Sequence, residues 1–83
     1  MNETIRTLLG KLGGLPVAVD TIADTADLYA VGLSSFASVQ LMLGLEEAFD
    51  MEFPDHLLNR KSFASIAAIE TTVQSILEDR KVA

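Results

Sequence analysis

No cysteine and no tryptophan occur in the 83 residues, and histidine occurs once, at His56. Without cysteine the chain has no disulfide framework, no thiolate metal site and no thiol nucleophile of its own. One histidine cannot build a structural zinc site, which needs four ligands. Ser-His-Asp chemistry asks for a base within reach of its nucleophile and a third group that orients the base. His56 instead falls on an expected short turn after Pro54, and no Gly-x-Ser-x-Gly elbow is present. Gly10, Gly13 and Gly14 lack both the spacing and the following Lys-Ser/Thr of a phosphate-binding loop. The acidic pairs, Glu46 with Glu47 and Asp24 with Asp27, read as solvated surface groups. No catalytic residue and no metal ligand set is expected.

Basic residues are also scarce: six stand against twelve acidic ones, for a formal charge of −6. Nucleic-acid binding relies on Lys and Arg replacing the counterions of phosphates, so the field here has the wrong sign for it. An acidic surface suits steering toward basic patches on protein partners. No apolar run approaches the roughly 20 residues that span a bilayer, and a membrane-surface helix would need more Lys and Arg on its polar face. Met1-Asn2-Glu3-Thr4-Ile5-Arg6 lacks the basic-then-apolar order of a signal peptide. A cytoplasmic protein with neither nucleic acid nor membrane as partner is expected.

What the chain does have is apolar content, 49% of its residues, arranged at helical spacing. At this length it forms one domain, residues 1–83, with a single modest core. Ile5, Leu8, Leu9 and Leu12 share a face of a first helix, with Asn2 as its expected N-cap and Gly13, Gly14 and Pro16 as its stop. A second long helix runs from about Ser35 to Asp50, and Phe36, Val39, Met42, Leu43, Leu45 and Phe49 form its expected apolar stripe. The last helix begins near Ser62 or Ser65 and uses Ile66, Ile69, Val73, Ile76 and Leu77. Asp55 is the expected cap of a short helix through His56, Leu57, Leu58 and Asn59, with Leu57 or Leu58 packed on the bundle. The connection from Gly14 to Ser34, about 20 residues, is long for a compact domain. Its apolar anchors, from Val17 to Leu33, imply an ordered loop with one helical turn after Asp20. The fold class is all-α.

Ser34 and Ser35 sit where this loop enters the second long helix, and by themselves they read as capping residues. The ordered series around them says more. Gly32-Leu33-Ser34-Ser35-Phe36 is followed by Val39-Gln40-Leu41, then by Leu45-Glu46-Glu47-Ala48-Phe49-Asp50, and then by Glu52-Phe53-Pro54-Asp55. Asp27-Leu28 precedes the series, and Phe63, Ile66 and Ile69 follow it. This series resembles the acyl carrier proteins, whose signature is Gly-x-Asp-Ser-Leu, then Val-Glu-Leu, then Glu-Glu-x-Phe. The resemblance covers nearly the whole chain. It implies an acyl-carrier-like four-helix bundle: three long helices and one short one, with a long ordered loop between the first two long helices.

The resemblance further implies that Ser35 carries 4′-phosphopantetheine, taken from coenzyme A by a phosphopantetheinyl transferase. The arm's thiol would then hold an acyl group as a thioester, which a chain without cysteine cannot do alone. Ser34, Phe36, Gln40, Leu41, Glu46 and Glu47 are the implied partner contacts. Three positions depart from the pattern: Ser34 replaces an Asp, Phe36 a Leu and Gln40 a Glu, so docking leans more on apolar contact and less on charge. The Ser-Ser-Phe-Ala-Ser-Val-Gln run is most similar to stand-alone bacterial carriers of amino acids. These are loaded by an amino acid:carrier-protein ligase that resembles the core of an aminoacyl-tRNA synthetase. Fatty-acyl or polyketide cargo is the alternative within the class; Phe36 and Phe49 are expected to narrow the space such a chain would need. The rival class is an unmodified acidic adaptor that binds through Leu41 and Met42.

Overall fold

The computed structural model describes the backbone of residues 1–82 and the side chains of residues 1–79. Four α-helices follow in order: α1 (Asn2–Leu12), α2 (Leu28–Val31), α3 (Ser35–Phe49) and α4 (Ile66–Val82). Short 3-10 turns at Val19–Thr21, Asp55–Leu57 and Arg60–Phe63 punctuate the connections, and no strand occurs among the described residues. The three long helices and the ordered loop are those expected.

Helix α1 buries Ile5 and Leu9 completely, with Leu8 packed at the margin. Asn2 lies inside the helix, not at its cap, which is Met1. Its amide has other work: Oδ1 accepts from Arg6 Nε at 2.8 Å, while Nδ2 donates to Asp24 at 3.1 Å and to Glu70 at 3.3 Å. Arg6 also donates to the carbonyls of Val19 and Ile22 and pairs with Asp24. One guanidinium thus fastens the long loop to α1.

The hydrogen bond from Asn2, and then the Arg6 guanidinium, hold the Asp24 carboxyl below its ordinary value. A depressed native value means that this contribution is present above the unfolded value of about 3.9 and is lost as pH falls through the native one. Urea midpoints measured between pH 6 and pH 2 should therefore fall less steeply for Asp24→Asn than for the parent. Equal slopes would show that the pair does not couple to folding.

Two short elements, one in the loop and one after Pro54, differ from expectation. The turn near Asp20 is present at Val19–Thr21, but the helical turn α2 was not anticipated. It forms because the Asp27 carboxylate accepts from the N–H groups of Tyr29 and Ala30, a cap at the N-terminal end. The expected short helix after Pro54 is only a 3-10 turn, and the Asp55 side chain caps nothing in it. Leu57 packs against the core, while Leu58 is exposed. Next comes the 3-10 turn Arg60–Phe63, capped by Asn59, and α4 starts three residues later at Ile66. The Ser65 hydroxyl accepts from the N–H of Ala68 there. Phe53 and Phe63, with ring centroids 5.4 Å apart, close this end of the core.

Helix α3 departs most from expectation. Its core stripe is Ala37, Leu41 and Leu45, at intervals of four, and Leu41 and Leu45 are fully buried. Of the expected stripe, only Leu45 is buried, with Met42 and Phe49 half-buried; Phe36, Val39 and Leu43 face outward. Gly44 lets α1 approach closely, since a Cβ there would sit 2.7 Å from the Leu12 Cδ1 methyl.

Candidate functional site

The entry to α3 is a sharp reversal. Gly32 closes α2 with φ 130°, a backbone conformation that side chains disfavour. Its N–H donates to the carbonyls of Leu28 and Tyr29, and that of Leu33 donates to Leu28 at 2.9 Å. Leu33 is buried and anchors the turn, leaving Ser34 and Ser35 exposed just beyond it.

The two serines divide the work. Ser34 is the N-cap: its Oγ accepts from the N–H of Ala37 at 3.0 Å and its carbonyl from that of Ser38 at 2.9 Å. Ser35 is the first helical residue and has no capping duty. The first-turn N–H groups of Ser35 and Phe36 have no carbonyl ahead of them to bond. They give this end of a 15-residue helix a partial positive charge that suits a phosphate ester. The Ser38 hydroxyl donates to the Ser35 carbonyl at 2.7 Å, bracing the turn.

Beside Ser35 opens a groove of about 460 Å³ between α3, α2 and the 58–63 segment. Val39, Met42, Leu58 and Phe63 make it largely apolar, while Tyr29, Ser38, Asn59 and Arg60 supply its polar atoms. Backbone bonds hold these walls together: Leu28 N–H donates to the Ala64 carbonyl at 2.7 Å and Ala67 N–H to that of Asp24 at 2.8 Å. An exposed hydroxyl at a helix start, next to a largely apolar groove, fits an attached phosphopantetheine. A phosphate there would meet the helix end, and the slender arm would have a surface to lie on.

At about 100° per residue, Phe36, Val39, Gln40, Leu43 and Glu47 fall within one arc of α3. All five are exposed; Phe36 shows 74% of its surface, Leu43 53% and Val39 52%. Sequence reasoning named Phe36, Gln40 and Glu47 as expected partner contacts but assigned Val39 and Leu43 to the apolar stripe of the core. The signal it missed is that α3 carries two apolar stripes, more than one core can take. Leu41, expected to meet partners, is fully buried and can touch none while the domain is folded. That also removes half of the contact imagined for an adaptor. Glu46 is half-buried, and its Oε2 accepts from the N–H of Phe53 at 2.9 Å, so it latches the loop that follows α3. Phe36 points to solvent and narrows no interior space; Phe49 packs at the core margin. His56 lies exposed on its 3-10 turn.

A family model described as the phosphopantetheine attachment site matches residues 3–76. The chain belongs to this phosphopantetheine-attachment family. It is 74% identical over 83 residues, the full length of both chains, to the aminoacyl carrier protein of Agrobacterium fabrum. It also superimposes with a TM-score of 0.88 on a carrier protein from Agrobacterium tumefaciens. That protein was crystallised with an engineered Bradyrhizobium japonicum glycine:carrier-protein ligase and AMP; identity is 78%, covering 89% of this chain and 99% of that one. A second structure, of the B. japonicum ligase complexed with glycylated carrier protein, matches at 34% identity and a TM-score of 0.74, over 86% of this chain and 95% of that one. The family's prosthetic group is 4′-phosphopantetheine, and its members are carriers rather than catalysts. Among the described residues, no helix is long and apolar enough to cross a membrane.

Proposed function

We propose that residues 1–83 form a single aminoacyl carrier domain whose Ser35 holds phosphopantetheine and whose cargo is glycine. The observation that carries the reading is the division of labour at the start of α3. Ser34 takes the cap, and Ser35 is left with an exposed hydroxyl beside the groove. A transferase would join Ser35 Oγ to the β-phosphorus of coenzyme A, releasing adenosine 3′,5′-bisphosphate and the serine proton. Once bound, the group supplies the thiol that takes the aminoacyl group as a thioester. The ligase provides that aminoacyl group as its adenylate, and AMP leaves. This chain's own part is to present the site and to be recognised. Ser34, Phe36, Gln40 and Glu47, with Val39 and Leu43 beside them, form the face we assign to the transferase and the ligase. Glycine is supported by the relatives, one solved with an engineered glycine:carrier-protein ligase and one in glycylated form with such a ligase. A cytoplasmic location follows from the need for coenzyme A and ATP.

Intact mass tests the reading in two steps. With coenzyme A and a transferase, the protein should gain one phosphopantetheine. With glycine, ATP and a glycine:carrier-protein ligase, it should then gain one glycyl group that hydroxylamine removes. Gain of the arm with loading by an acyl chain but not by glycine would mark a fatty-acyl or polyketide carrier. No gain of the arm by the folded protein would leave an adaptor that uses the outward face of α3 alone.

A further inference from the structure

Arg60 is the only charged residue among those lining the groove beside Ser35. Its guanidinium carbon sits 3.8 Å from the centroid of the Tyr29 ring, within the range of cation–π attraction. The bond from Leu28 N–H to the Ala64 carbonyl brings α2 against the segment that carries Arg60, and the bond from Ala67 N–H to the Asp24 carbonyl ties the start of α4 to the loop before α2. The Asn59 carboxamide accepts from the N–H of Ser62 at 3.0 Å and holds the turn on which Arg60 stands. Arg60 forms no ion pair among the described residues. In a chain with twelve acidic and six basic residues, a guanidinium with its plane fixed and no carboxylate is poised for an anion from elsewhere.

We propose that Arg60, stacked on Tyr29, is a positioning residue that receives the phosphodiester of the arm on Ser35 and seats the arm in the groove. The inference rests on Ser35 being the attachment site. A phosphodiester keeps one negative charge and two free oxygens, which a guanidinium meets with paired N–H donors. Ser35 lines the same groove, so the anion is delivered by its tether and at high effective concentration. Val39, Met42 and Leu58 then offer apolar surface to the dimethyl part of the arm. Stacking fixes the guanidinium plane in advance, so little side-chain freedom is lost when the phosphate arrives. Between visits to its enzymes, the arm would rest against its own carrier instead of ranging through solvent.

The test compares holo parent, Arg60→Gln and Arg60→Lys, each first weighed to establish one arm per chain and checked against a Ser35→Ala control. Phosphorus-31 NMR then reads the phosphodiester, and Overhauser contacts between the arm's dimethyl group and the Met42 and Val39 methyls read its seating. In Arg60→Gln the phosphorus resonance should move toward that of a free pantetheine phosphodiester. The ratio of seated to free arm should fall about two- to fivefold, the scale of an exposed charge pair. Added salt should do the same to the parent and little to Arg60→Gln. Arg60→Lys, which keeps the charge but loses the planar fork, should fall between the two. Identical phosphorus spectra and contacts in parent and Arg60→Gln overturn the proposal, including the case where the ligase KM alone rises, which would make Arg60 a partner contact. A parent that gains no arm overturns the Ser35 assignment and the proposal with it.

Discussion

Ser35→Ala should abolish attachment of the arm completely and leave the domain folded, whereas Ser34→Ala should destabilise the domain and leave the attachment site in place. This reciprocal result is expected because adjacent serines of the same chemistry have separate tasks. Ser34 Oγ is bonded to the N–H of Ala37, and the loss of such a cap costs about 0.5–2 kcal/mol. In a domain of this size each kcal/mol is worth about 4–8 °C of Tm. Ser35 is exposed at the first helical position, where alanine is well tolerated, so its removal should move Tm by no more than about 4 °C, the worth of ~0.5 kcal/mol. Intact mass after treatment with coenzyme A and transferase gives the other half: one arm on Ser34→Ala and none on Ser35→Ala. An arm on Ser35→Ala would move the site to another hydroxyl, with Ser34 and Ser38 the candidates on the same turn. A Tm loss confined to Ser35→Ala would reverse the assignment of the cap.

Much of this arrangement is written in local sequence. The helix starts at Ser35 because Gly32 and the capping Ser34 place it there, and both signals operate within a few residues. The three long helices were legible from apolar spacing for the same reason. The groove was not. It exists because α2 and the loop before it are fastened to the start of α4 and the segment before it through backbone bonds that span more than 30 residues, and no local pattern encodes such a meeting. In the sequence Tyr29 reads as one of the loop's apolar anchors and Arg60 as one of the scattered basic residues, and they become a pair only through that contact. Asn2 misled for a related reason: an amide that looks like a cap was drawn into a tertiary network by Arg6 and Asp24.

Helix α3 misled in a more informative way, and it yields the second large effect. Leu41→Ala should cost about 2–5 kcal/mol, since the side chain is fully buried and its removal leaves a cavity between the long helices. A domain of 83 residues has a total stability on the order of 4–12 kcal/mol, so Tm should drop by at least about 10 °C. Leu43→Ala, two residues along, should change stability by no more than about 0.5 kcal/mol, because Leu43 is half in solvent and alanine favours the helix. Its loss should appear in the ligase reaction instead, as a KM for the carrier raised about five- to thirtyfold, the scale of a good apolar interface contact. Thermal melts and loading kinetics on the two variants separate these outcomes. Equal melting losses would mean that Leu43 belongs to the core, and unchanged KM in Leu43→Ala would remove it from the docking face. The two stripes of α3 thus have different causes. The one at Ala37, Leu41 and Leu45 is satisfied by the chain itself. The one at Phe36, Val39 and Leu43 is left exposed by the described residues, and a visiting enzyme that must reach Ser35 is the partner that would cover it.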